Sequence, residues 1–321
     1  MRAILRPGWA GSEPTSKAVN TKRPTVRPVA ILHAADRHAR MSGCIIQPAL
    51  EAELNMNRRA FLSQSSQLLA IAGLAPHLFG ENPMPEYNQR HSLSFSNNWI
   101  ESLLVSAVRD MEVEDAIVVN LSTTALHYRA GGEHGMILPW KSSMLRRCTI
   151  ESAESAALLH VRQRTNLGAV ALAWEWYGHR DAQFPRGTPL YISSQDDIGQ
   201  IELDPITAFG HAIASRSSPR RYELKLNLWY TPEETDCGIH TGHQFLEVHT
   251  QILGTGHMQK FRENNAGTLY EDVLMPAGFT HDRFFTVADD RSFSYPWHRY
   301  YADTDCIWMA IELHPAATPS Q

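Results

Sequence analysis

The sequence predicts an all-β protein, on three observations: short apolar runs rich in β-branched and aromatic residues recur beyond about Pro85, turn residues separate them, and one early stretch has a helical period. In chain order the expected strands are Ala116 to Leu121, Ala156 to Val161, Ala169 to Trp176 and Pro189 to Ser193, then Tyr222 to Tyr230, Leu246 to Leu253, Leu269 to Met275 and Cys306 to Leu313. Asn98 to Asp110 instead places Ile100, Leu103, Leu104 and Val108 on one helical face, which predicts a helix packed outside the barrel. So many strands with one helix argue for a sandwich or double-sheet jelly roll rather than an alternating α/β fold.

A chain of 321 residues fits two modest domains plus a tail. Charged residues make up 20% and the formal net charge is -5, so there is no broad basic surface for a phosphate backbone, and nucleic acid is not an expected partner. No run approaches the length needed to cross a bilayer as a helix, so no membrane span is expected. Cys44, Cys148, Cys237 and Cys306 lie too far apart for a zinc-type pairing and read as buried or free thiols.

Residues 1–55 are rich in Arg, Pro, Ala and Ser without sustained periodicity, and read as disordered or as an upstream start artefact. At Met56 the text changes to Met56-Asn57-Arg58-Arg59-Ala60-Phe61-Leu62-Ser63, followed by a mildly apolar run from Leu68 to Ala75. This resembles a bacterial twin-arginine signal over residues 56–84 and implies export to the periplasm if translation starts near Met56, or a cytoplasmic protein otherwise.

The stretch that carries chemistry is Asp236 to Gly256, where His240, His243, Glu247 and His249 fall within ten residues. Imidazole nitrogens plus one carboxylate hold a divalent first-row metal with open positions, and two His with a carboxylate suit non-haem iron. Further on, Pro276-Ala277-Gly278-Phe279-Thr280-His281 offers another imidazole just after a tight turn.

These residues resemble the two motifs of the cupin superfamily. His243, Glu247 and Gly254 match the last His, the Glu and the Gly of the first motif, and Pro276, Gly278 and His281 match the Pro-x-Gly-x-x-His of the second. The resemblance implies a cupin-type double-sheet jelly roll over residues 216–321, with His243, Glu247 and His281 as metal ligands and His240 as a fourth. It departs from the pattern at Thr241, where a first His would stand, and at Phe285, where Asn is usual. Strict alternation would turn His240 to the other face unless Gly242 permits a loop that swings it back. His249 shares the parity of Glu247 and is expected behind the ligands, while His298 and Arg299 are expected at the pocket, with plain packing as the competing account for their segment.

Residues 85–215 repeat only the Pro-x-Gly turn, at Pro185 to Gly187, with Leu190 where a His would follow. They read as a degenerate first barrel, which would make the chain a bicupin, or as an extension of the second. The functional expectation is a metal-dependent enzyme acting on a small organic molecule, through one ion with Fe(II) ahead of Mn, Zn or Ni. Dioxygenase and isomerase or lyase chemistries both stand; the alternative is a non-catalytic barrel that captures a small molecule or peptide. A homodimer through exposed strand edges is left open.

Overall fold

The scaffold begins with two very long strands. In the computed structural model, which describes residues 86–182, 184–209 and 217–316, β1 (Gln89–Ser92) leads into β2 (Ile100–Asn120). The hairpin β3 (Leu126–Ala130) and β4 (Glu133–Ile137) follows, and then β5 (Ser142–Val161), in a sheet ordered β1-β2-β5-β3-β4. The N-terminal stretch to residue 55 and the twin-arginine-like segment at Met56 lie outside the described residues.

The expected helix from Asn98 to Asp110 is therefore the first half of β2. The reason is bulging. Ala107 and Asp110 have φ of 50° and 47° and are skipped in the β2–β5 register, so the buried positions run Val105, Val108, Met111, Val113. Each extra residue shifts the two-residue alternation by one, and a strand with two bulges acquires the three- and four-residue spacing of a helix face. Beyond the bulges β2 curls, so that Ile117 pairs with both Leu159 and Met144 of β5.

Next come β6 (Glu175–Trp176), β7 (Tyr191–Ile192), β8 (Asp196–Leu203), a short helix α1 (Pro205–Phe209) and β9 (Arg220–Thr231). The strand expected from Ala169 to Trp176 is a 3-10 turn over Leu167–Ala173 with only Glu175–Trp176 extended. Its alanine-rich text favours helical backbone, and Asn166 before it adopts a left-handed φ of 55°. The last part contains β10 (Leu246–Leu253), β11 (Thr255–Phe261), β12 (Leu269–Pro276), a small hairpin of β13 (Thr286–Val287) and β14 (Phe293–Ser294), β15 (Trp297–Ala302) and β16 (Cys306–Pro315). The strands expected around β9, β10, β12 and β16 are all present.

β10, β16, β9, β7 and β6 form one antiparallel sheet with β8 added to β9, and β12, β11 and β15 form another. The two face each other as a double-sheet barrel. Tyr300 of β15 stacks on Trp308 of β16 with ring centroids 4.0 Å apart, and Met258, Met275, Cys237 and Cys306 share that interior core. β10 turns into β11 at Gly254, φ 75°, where a Cβ would sit 2.0 Å from the Asp305 carbonyl oxygen, so only glycine fits.

The first sheet is bound to this barrel. Ile117, Val119 and Leu159 share one core with Leu246, Val248 and Ile311, and the Ser142 hydroxyl reaches the Gly278 carbonyl oxygen at 2.8 Å and the Thr280 hydroxyl at 2.6 Å. Residues 83–321 form one compact unit. Among the described residues no helix is long and apolar enough to cross a membrane.

Candidate metal centre

Between β9 and β10 the chain makes a loop rather than a strand, and this decides the site. Gly238 and Gly242 adopt φ of 84° and 88°, which frees the intervening residues from strand alternation. His240 is then tied to β15 by two backbone hydrogen bonds with His298, each 2.9 Å. Through this pairing, imidazoles 55 or more positions apart in sequence meet at one end of the barrel.

Three ring nitrogens converge there. His243 Nε2 lies 3.1 Å from His240 Nε2 and 3.0 Å from His298 Nε2. The other nitrogens fix the proton positions. His240 Nδ1 is 3.0 Å from the Gly238 carbonyl oxygen and His298 Nδ1 is 2.8 Å from that of Pro296. A carbonyl oxygen only accepts, so both Nδ1 atoms carry hydrogen, and in the neutral tautomer this sets, Nε2 is the lone-pair nitrogen of each ring. His243 Nε2, between them, has at most one proton to give, so at least one of the two close N···N contacts contains no hydrogen.

A cation removes that conflict. Metal–imidazole bonds of about 2.0–2.1 Å place donor nitrogens roughly 3 Å apart, which is the spacing seen here. His240, His243 and His298 form the one group of ligand-type side chains among the described residues whose donor atoms all lie within 4.8 Å of one another, and they can hold one metal ion.

Glu247 stands behind this triad. Its Oε2 is 3.7 Å from His243 Nδ1 and its Oε1 is 2.9 Å from His249 Nε2. The carboxylate thus faces His243 from beyond hydrogen-bond distance and is held by His249 on its other side. Burial pushes the Glu247 carboxyl up to about 7 against the pull of His243, and Glu312, its direct partner across β10 and β16, adds to the rise. Burial likewise drives His249 down to about 3 and His298 down to about 2, and lowers His243, so all three rings are neutral, the form in which imidazole binds metal.

The remaining sequence-predicted residues fall elsewhere. His281 does not join the triad: its Nε2 accepts the backbone N–H of His249 at 2.9 Å and its Nδ1 donates to the Asp282 carbonyl oxygen at 2.6 Å. Phe284 packs between it and the site, with ring centroids 4.8 Å from His281 and 4.6 Å from His298. The Thr250–Thr280 bridge sets this placement by drawing the turn after β12 against the β10 backbone. Arg299 lies on the outward face of β15, bonded to Gln259 at 2.8 Å and to Asp236.

The sequence places His298 at the pocket but not in this triad. In the structure Trp297–Ala302 buries His298, Tyr300 and Ala302, an inward alternation that faces His298 toward the barrel and that the sequence Trp-His-Arg-Tyr-Tyr-Ala does not itself display.

No family model matches the chain, and no curated protein matches it. Among solved structures it is similar to a cupin 2 conserved barrel domain protein from Leptotrichia buccalis, at 11% identity over 71% of this chain and 91% of that one, with a TM-score of 0.23. It is also similar to vicilin from Corylus avellana, at 6% identity over 68% of this chain and 75% of that one, TM-score 0.24. An 11S globulin from Wrightia tinctoria matches at 8% identity over 69% and 77% of the two chains, TM-score 0.25.

Proposed function

We propose that this protein is a metal-dependent enzyme that acts on a small organic molecule at one end of its barrel. The observation that carries the reading is the convergence of three imidazoles, with His243 Nε2 3.0–3.1 Å from the Nε2 atoms of His240 and His298, whose Nδ1 hydrogens are held by backbone carbonyls. His240, His243 and His298 would hold the ion, and three protein ligands leave coordination positions for substrate. The bound ion would supply Lewis acidity toward a carbonyl or hydroxyl oxygen.

The chain's own residues would supply the rest. Glu247, held on one side by His249 and facing His243 on the other, is placed to take a proton and return it, because its carboxyl sits close to neutrality. Glu247 is buried, and Tyr295 and Phe245 flank the neighbouring His243 with centroids at 4.8 and 5.4 Å. A proton-moving isomerase or lyase step fits a site with its carboxylate behind the ligands better than the two-His, one-carboxylate iron arrangement expected from the sequence. Three imidazoles suit zinc, nickel or iron alike.

Elemental analysis of natively purified protein beside His298→Ala tests the reading. One ion per chain in the first and none in the second is the expected result; equal metal content in both sinks it.

A further inference from the structure

The floor of the barrel carries polar atoms that the fold itself does not use. Among the described residues, the buried atoms Asn227 Oδ1, Trp229 Nε1 and His249 Nδ1 have no hydrogen-bond partner. They are neighbours. Ala310 pairs with Asn227 on one side and with His249 on the other, and Trp308 pairs with Trp229, so all three surround one small residue on the interior face of β9, β16 and β10. Across two strand spacings Asn227 and His249 stand roughly 10 Å apart on either side of Ala310, whose own side chain is a single methyl group.

The chemistry of the orphans is fixed by their other contacts. Asn227 Nδ2 donates to Glu312 Oε1 at 2.8 Å, which orients the amide and leaves its oxygen as an acceptor. The other Glu312 oxygen is occupied by Gln195 Nε2 at 3.0 Å and His314 Nε2 at 2.8 Å. Trp229 Nε1 carries a hydrogen and can only donate. His249, whose Nε2 faces the Glu247 carboxylate at 2.9 Å, offers Nδ1 as an acceptor, so a group at this floor must accept from Trp229 and donate to Asn227 or His249 at once. Hydroxyl and primary amide do this. A carboxylate only accepts and would lie beside Glu247 and Glu312, and an ammonium only donates.

We infer that this floor is an inner subsite for a neutral small molecule bearing a hydroxyl or primary amide, held between Asn227, Trp229 and His249 over Ala310. The inference deepens the function proposed above by naming the substrate's chemical class, and it predicts that the polar end enters past the imidazoles. Buried polar groups in folded proteins find partners, which is why three orphans around one alanine point to a ligand.

The test is a titration of the full chain, labelled with ¹⁵N at its indoles, with acetamide, ethylene glycol, acetate and ethylammonium, with metal content measured on the same samples. The Trp229 indole resonance, assigned by its loss in Trp229→Phe, is expected to move with acetamide and glycol and to stay still with the two ions. Trp229→Phe, which keeps an aromatic side chain but removes the N–H together with the five-membered half of the indole, is expected to weaken acetamide binding about tenfold in ligand-observed spectra. Ala310→Leu puts added bulk between Asn227 and His249 and is expected to abolish the shift with metal content unchanged. If it does not fold, Trp229→Phe alone decides. No shift with any probe, as for a floor satisfied by water alone, or an equal shift with acetate, or undiminished binding in Trp229→Phe, overturns the inference. A metal-free protein that still shows the acetamide shift would instead overturn the metal reading and leave the subsite standing.

Discussion

The loop from Cys237 to Phe245 and the turn from Pro276 to Phe285 both deliver histidines to the barrel, yet they use them in opposite ways. In the loop, His240 gives its Nδ1 hydrogen to a backbone carbonyl and keeps Nε2 free, as does His298 on the facing strand. In the turn, His281 spends both nitrogens on the main chain. Burial keeps His281 neutral, well below its ordinary range, but a neutral ring with no spare lone pair is a structural tie. Letters and spacing alone cannot separate the two cases; the hydrogen-bond partner of each nitrogen does.

That contrast can be broken or sharpened by experiment. The largest expected effect is complete loss of bound metal in His243→Ala and His298→Ala, read by elemental analysis, while His281→Ala keeps its full complement. Metal loss in His281→Ala with retention in His298→Ala would reverse the comparison. Next, on the proposed function Glu247→Gln should weaken metal binding by about tenfold in a chelator competition, because the negative charge facing His243 is lost.

A pH series of melting temperatures on metal-free protein comes third. His249 and His298 are held near 3 and 2 by burial, below the ordinary 6.5, so the unfolded chain binds their protons first. Their contribution is present above pH 6.5 and is lost as pH falls below it. Glu247, raised from 4.5 to about 7, acts with the opposite sign, its contribution fading as pH rises through that interval. Two large shifts outweigh one smaller shift, so the melting temperature should fall from pH 6.5 toward 4.5. A flat or rising profile would contradict this. The same His281→Ala protein should be less stable by about 1–3 kcal/mol in urea unfolding, since the buried His249 N–H loses its acceptor. The smallest effect belongs to Arg299→Ala, whose side chain lies on the outer face and should leave metal affinity within about twofold.

Much of the second half was legible because strands such as β10 and β16 are continuous apolar runs bounded by clear turns. β10 begins and ends where the text of Leu246 to Leu253 places it, and the Pro276–Gly278 turn is present with Gly278 at φ 87°. The first half misled because Ala107 and Asp110 are bulges, which break the period that sequence reading relies on. At the site, His240 and His243 belong to one loop and were readable as a pair. His298 was not, since its proximity depends on the pairing of β15 with residue 240, a contact no local pattern records.

The hydroxyls of Ser142, Thr280 and Thr250 run from the first sheet into the barrel at 2.6 Å per step, and Lys141 is clamped to Asp282 beside them. Cutting the chain between its halves would strip partners from both sides of this seam and bare Leu246, Val248 and Ile311, which share their core with Ile117 and Leu159. The imidazole end of the molecule thus borrows its rigidity from residues more than a hundred positions upstream, and heat should melt both halves in a single step.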